Sequence, residues 1–334
     1  MKTKIWFIAT SILFLSIISF PIHSEDEMNL KMRYARPVVN EPLLNKTNEY
    51  RLKLGKTLFF DPRLSGSNWI SCATCHNPSM GWSDGLTTAI GDGQKTLKRS
   101  TPTILNSAYN HLQMWDGRFR TLEEQALSPI ESKHEMNQDL DELVDELKAI
   151  PGYKMLFSDA YPGRGISKDT IALALAAFQR SIISTDAPFD RWVRDDTDAM
   201  SDAAIRGFKV FEGKGRCAKC HSGFNFADDS FHNIGLKSDD IGRFSVIPLS
   251  VTKGAFKTPT LRNIAETAPY MHNGSYATLD EVIEHYIRGG DDTSHMSANM
   301  KKINLNKSEK DDLIAFLNML TSPLDEIMYP DMPH

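Results

Sequence analysis

The four cysteines of this 334-residue chain fall in two matching stretches, Cys72-Ala73-Thr74-Cys75-His76 and Cys217-Ala218-Lys219-Cys220-His221. C-x-x-C-H is the attachment signal of a c-type haem: the two thiols add across the porphyrin vinyl groups, and the adjoining imidazole binds the iron. A zinc site or a disulfide pair can share the cysteine spacing. A His directly after the second Cys at both sites, with no cysteine left over, is the haem pattern. Two covalent haem c groups are therefore expected, with His76 and His221 as iron ligands. What each iron does then depends on the residues facing its other side.

The start of the chain fits that chemistry. Lys2 and Lys4 precede an apolar run from Ile5 to Phe20, then Pro21 and a short polar stretch to Ser24. This reads as a secretory signal peptide, residues 1–24. The run is short for a full span of about 20 residues, and no later segment is apolar enough to cross a bilayer. Covalent haem is normally attached after export, so a soluble periplasmic protein is expected. Removing residues 1–24 moves the net charge from −5 to −7. The mature chain carries no basic cluster suited to nucleic acid. The remainder is long enough for two domains of ordinary size. One haem each suggests residues 25–195 as an N-terminal domain and 196–334 as a C-terminal one.

The elements that must hold these groups read mainly as helices. Residues 49–60 carry apolar side chains at helical intervals and stop at Asp61-Pro62. Leu140, Leu143, Val144 and Leu147 share one face of a helix over 137–149. Residues 168–184 form another. Ser201 caps a helix running to Glu212. Thr278-x-x-Glu281 is a capping box for a helix to Arg288, ended by Gly289-Gly290. Ser308-x-x-Asp311 opens the last helix. Long Gly-, Pro- and Asp-rich loops (61–103 and 222–262) lie between, where a haem can serve as much of the core. The tail, 321–334, reads as a surface arm. The expected class is mainly α, with two cytochrome c-like haem domains and long loops.

Ordered motifs go beyond the haem sites: Leu54-Gly55-Lys56-x-Leu58-Phe59-Phe60-Asp61, Pro102-Thr103-x-x-Asn106, Trp115-Asp116-Gly117-Arg118, Glu124-Gln125-Ala126-x-x-Pro129 with Glu135-Met136, Thr258-Pro259-Thr260-Leu261-Arg262-Asn263, and Pro269-Tyr270-Met271-His272-Asn273-Gly274. With these, residues 40–320 resemble the bacterial diheme cytochrome c peroxidase family that includes MauG. The resemblance implies a peroxide site on the first haem, with Glu135 as catalytic acid/base, Gln125 as its hydrogen-bonding partner and Pro129 shaping the pocket. A carboxylate above the iron can carry the proton between peroxide oxygens that heterolysis of the O–O bond requires.

Two departures matter. Many relatives have a loop His that caps the resting first iron. The matching stretch here carries Asp92, and no His occurs between His76 and His111. An open first iron is expected, although His111 and His134 are within reach in sequence. On the second haem, Tyr286 stands where electron-transferring relatives have Met, as in MauG. A tyrosinate stabilises oxidised iron relative to Met ligation. His285, Met271, His295, Met296 and Met300 are competing ligands; His285 and Tyr286 point about 100° apart on a helix, so only one can face the iron. The resemblance also places Trp115 between the haems as a relay. It implies a calcium ion held by Thr267 and Pro269, with Ser100 where relatives have Asn.

The expected activity is a MauG-like oxidase. It reacts with hydrogen peroxide at the first haem and oxidises a partner protein or small molecule through high-valent iron. The alternatives are a peroxidase that draws electrons from a small cytochrome c or cupredoxin, and a non-catalytic diheme electron carrier.

Overall fold

The computed structural model describes residues 25–334 except Asp325, with side chains from Met28 onward. The expected signal peptide lies outside these residues. In chain order the helices are α1 (Glu25–Arg33), α2 (Glu49–Phe60), α3 (Cys72–Cys75), α4 (Leu122–Glu131), α5 (Leu140–Ala149), α6 (Pro151–Ala160), α7 (Lys168–Ser181), α8 (Pro188–Val193), α9 (Asp202–Glu212), α10 (Leu279–Arg288) and α11 (Lys307–Asn318). A two-residue antiparallel ladder, β1 (Phe231–His232) with β2 (Phe256–Lys257), pairs Phe231 with Lys257 and His232 with Phe256. The mainly α class holds.

Local chemistry sets these boundaries. Asn48 caps α2 by accepting from the Arg51 N–H at 2.9 Å. Pro62 disfavours a helical Asp61 and ends it. Ser201 caps α9 and Thr278 caps α10, as the sequence implies. α10 stops on Gly289 at φ 80°, a left-handed geometry that glycine adopts without strain. The last helix starts earlier than Ser308. Asn306 accepts from the Glu309 N–H at 2.9 Å, and Glu309 accepts from the Asn306 N–H at 2.8 Å. That reciprocal pair outcompetes the Ser308–Asp311 pattern.

Two hydrophobic cores result. The first joins α2, α4, α5, α6 and α7 around Leu54, Leu58, Phe59, Leu143, Phe157, Ile171 and Phe178. The second joins α8, α9 and α11 around Phe189, Phe208, Phe211, Phe226 and Phe316. Each is built on one close helix crossing. A Cβ on Gly55 would run into the Ala174 carbonyl of α7, and one on Gly207 into the Asp312 carbonyl of α11.

The ends of the chain cross over. Tyr34, just past α1, is buried in the second core, where it stacks on Phe226. The tail is no free arm. Leu324, Ile327 and Met332 pack on the first core. Arg63 Nη1 donates to the Pro333 carbonyl at 3.1 Å, and the Gly152 N–H to the His334 carbonyl at 3.0 Å. Its three prolines suggested an arm, but the apolar residues between them set its place.

Candidate functional site

Both C-x-x-C-H stretches form short helical turns, and no disulfide joins the four cysteines. Burial pushes Cys72 up to about 12, Cys75 to about 11 and Cys217 to about 12. Among the described residues, the one grouping of His, Cys and carboxylates close enough for a metal is Cys220 with Asp228 and His232. No such set surrounds Cys72 and Cys75. The zinc and disulfide readings therefore lack support.

The haem reading has it. His76 Nδ1 donates to the Trp82 carbonyl at 3.1 Å, and His221 Nδ1 donates to the Phe226 carbonyl at 2.8 Å. A carbonyl can only accept, so each ring keeps its Nε2 lone pair for iron. Burial holds both imidazoles below their usual range, hence neutral. The cysteines, the two His and Tyr286 are deeply enclosed by protein yet keep accessible surface. They line internal space, as the walls of a haem crevice would.

The two halves repeat each other well beyond the haem motifs. Thr101-Pro102-Thr103 and Thr258-Pro259-Thr260 each lead to an asparagine in left-handed geometry, Asn106 at φ 60° and Asn263 at φ 54°. Both asparagines meet Ser184. Its N–H donates to Asn106 Oδ1 at 2.9 Å, and its hydroxyl to Asn263 Oδ1 at 2.7 Å. Thr121 caps α4 as Thr278 caps α10. Eight residues after each cap stand Pro129 and Tyr286. The position that offers a phenol in the second half therefore offers only a saturated ring in the first. Sequence reasoning missed this repeat, although Thr-Pro-Thr and Thr-Leu-x-Glu were its visible signals.

Tyr286 lies electrostatically close to Cys217 and Cys220, and burial raises its phenol. His285 is fully buried and already committed. Its Nε2 lies 2.8 Å from the Ile234 carbonyl, and its Nδ1 lies 3.1 Å from the Tyr276 hydroxyl. The exposed His295 contacts Ser250. Met296 lies against Gly235 and Gly290, and Met300 is buried.

On the first half, Pro129 has no N–H for the Gln125 carbonyl, which loosens α4 at that turn. The Gln125 amide donates to Met114 Sδ at 3.9 Å. Glu135 is half-buried, follows α4 in a tight turn and is felt electrostatically by Cys75. Burial pushes its carboxyl above the usual carboxylate range, against a Ser132 hydrogen bond and the charges of Arg118 and His134. His134 is exposed, and so is His111, which pairs with Asp229 at 2.7 Å. Asp92 is turned to Asn137, whose amide donates to it at 3.0 Å.

Trp115 sits at the junction of the halves. Its indole N–H donates to the Ser100 carbonyl at 2.9 Å, and the Lys257 N–H donates to the Trp115 carbonyl at 2.8 Å. The mirror-image bond, Ser100 N–H to the His272 carbonyl, is also 2.8 Å. Asp116 anchors this junction through Arg99 and Arg118, each at 2.7 Å. Of the residues expected at calcium, Ser100 is buried here, and Thr267 lies against Gly81.

Comparison with known proteins agrees with this architecture. Residues 49–198 match the family described as Di-haem cytochrome c peroxidase, and residues 204–321 match Cytochrome c. The chain is 47% identical over 314 residues to "Methylamine utilization protein MauG" of Methylorubrum extorquens strain AM1, covering 92% of this chain and 89% of the relative. It is 34% identical over 309 residues to "Cytochrome c551 peroxidase" of Nitrosomonas europaea, covering 88% of each. A solved "MauG-like protein associated with microbial copper homeostasis" superposes with a TM-score of 0.82 at 33% identity, covering 87% of this chain and 94% of the other. No helix among the described residues is long and apolar enough to cross a membrane. A duplicated haem cradle, a helical fold and relatives of this kind lead to one conclusion: the chain belongs to the di-haem cytochrome c peroxidase/MauG family of peroxide-acting oxidoreductases and carries two haem c groups.

Proposed function

We propose that this protein reacts with hydrogen peroxide at the haem held by Cys72, Cys75 and His76 and removes electrons from a partner protein or small molecule, as MauG-like enzymes do. The observation that carries this reading is the asymmetry between equivalent positions: Pro129 on one side, Tyr286 on the other. The bound haem supplies the iron that accepts peroxide and stores its two oxidising equivalents. Pro129 cannot ligate, so it leaves room above His76. Glu135, raised by burial, takes a proton from one peroxide oxygen and returns it to the other. Gln125 orients the same pocket. Two electrons from the substrate and two protons balance the conversion of peroxide to two waters. Trp115, bonded to both halves, is placed to pass an electron hole between them. Tyr286, beside Cys217 and Cys220, would serve with His221 to hold the second haem iron. His285 is excluded by its own hydrogen bonds.

The division into one domain per haem, export to the periplasm by the 1–24 segment, and a calcium ion at Ser100, Thr267 and Pro269 belong to the same proposal. The backbone groups of Ser100 are engaged with His272 and Trp115, and its hydroxyl is the oxygen left to offer. The c551 peroxidase relative favours a second reading, in which a small cytochrome c or cupredoxin donates the electrons.

The deciding experiment adds hydrogen peroxide to fully ferric, reductant-free protein and follows absorption from the Soret band into the near infrared. A rapid stoichiometric change with a near-infrared band of charge shared between haems is expected. A protein that stays silent until one electron is supplied has a blocked first iron, and the gated peroxidase then replaces this proposal.

A further inference from the structure

Residues 89–97 form a tight hairpin. The Leu97 N–H donates to the Ala89 carbonyl at 2.8 Å, and the Gly91 N–H to the Lys95 carbonyl at 2.9 Å. Its tip is pressed onto the segment that carries Glu135. A Cβ on Gly91 would run into the His134 carbonyl, so only glycine permits this approach. Lys95 Nζ donates to the Lys133 carbonyl at 3.0 Å.

Asp92 is the centre of this contact. Its backbone N–H donates to the Glu135 carbonyl at 2.7 Å. Its Oδ2 accepts from the Asn137 side chain at 3.0 Å, while its buried Oδ1 has no hydrogen-bond partner. Asp92 is only 8% exposed. One residue thus grips the chain at Glu135 and again two residues beyond it. The same segment is tied from behind: the Met136 N–H donates to the Pro129 carbonyl at 3.1 Å, and the Gly66 N–H to the Met136 carbonyl at 3.0 Å. One oxygen of the Asp92 carboxylate is thereby committed to the segment that carries Glu135.

We infer that Asp92 is the positioning residue for Glu135, clamping the 133–137 segment through its N–H and its Asn137 bond so that the carboxyl of Glu135 is held over the first haem. This rests on the role proposed for Glu135. An anion suits the task because Asn137 donates to it, and charged acceptors make the stronger hydrogen bonds. Asparagine is the conservative replacement. Its amide oxygen can still accept from Asn137.

The test measures the bimolecular rate of hydrogen peroxide with the ferric, haem-loaded protein against pH, for wild type, D92A, D92N, N137G and E135Q. The charged and titratable groups facing Glu135 are Arg118 and His134, with Ser132 as its hydroxyl partner. D92A is expected to react roughly 10²-fold more slowly, the scale of a misplaced catalytic group. Its acid limb should move down toward the usual carboxylate range as Glu135 swings to solvent. D92N should keep a rate and pH profile close to wild type. N137G removes the other half of the clamp while allowing the φ of 51° found at Asn137. It should resemble D92A, and the double variant should add little. Asn137 is exposed, so N137G tests the clamp even if D92A fails to fold.

A slow E135Q beside D92A and N137G proteins of wild-type rate overturns the inference and leaves Glu135 standing. A slow D92A with an unmoved pH profile and no recovery in D92N means a merely structural role, and also overturns it. An E135Q protein as fast as wild type removes the Glu135 reading and the clamp's purpose with it.

Discussion

In the function proposed above, Glu135 and Tyr286 set the chemistry that each haem can do. General acid–base catalysis is worth about 10²- to 10⁴-fold, so E135Q should lose that much of its peroxide rate while the haem spectrum stays intact. The sign of the pH effect follows from burial. A raised carboxyl stays protonated to higher pH than an ordinary glutamate, and only the carboxylate can accept the peroxide proton. The wild-type rate should therefore fall on acidification with a midpoint above the usual carboxylate range; a midpoint at or below that range would deny Glu135 the role. For Tyr286, replacement by Met exchanges a hard anionic donor for a neutral thioether. Y286M should raise the reduction potential of one haem, read by spectroelectrochemistry, and leave the other near its wild-type value. Equal shifts at both haems would remove Tyr286 from the iron.

Individual elements show how much the sequence carried and where it stopped. Helices with a side-chain cap and a breaker, such as α2 between Asn48 and Pro62 or α10 between Thr278 and Gly289, were legible because local hydrogen bonds define both ends. The haem attachment motifs were legible too, since type and spacing are local. The engagement of His285 was not, because its partners Ile234 and Tyr276 come from other segments. Nor was the grip of Asp92 on Asn137, which is made 45 residues along the chain. The close crossings were hidden for the same reason, since a glycine in a helix looks like a weakness until its neighbour is known. G207A should test this: the added methyl must push α9 off the Asp312 carbonyl, at a cost of about 1–3 kcal/mol. Chemical denaturation should show that loss, and an unchanged midpoint would mean that the crossing gives way freely.

Across the whole molecule, two similar halves have been made unequal at a few places. Pro129 stands on one side where Tyr286 stands on the other, and Trp115 against His272 puts an indole on one side of the junction only. The tail contributes to the same unity. Ending the chain after Pro323 should uncover the surface that Leu324, Ile327 and Met332 cover and lower stability by on the order of 3 kcal/mol. Calorimetry of the haem-loaded protein would measure it, and an unshifted transition would return the tail to the status of a loose arm.

The crossed termini also govern the order in which the molecule can be made. Leu324, Ile327 and Met332 finish the core that the first haem motif sits in, and the chain just past α1 has a place to lodge only once α9 and α11 have packed. Each half thus borrows chain from the far side of the other, so the two cores close together and not one after the other.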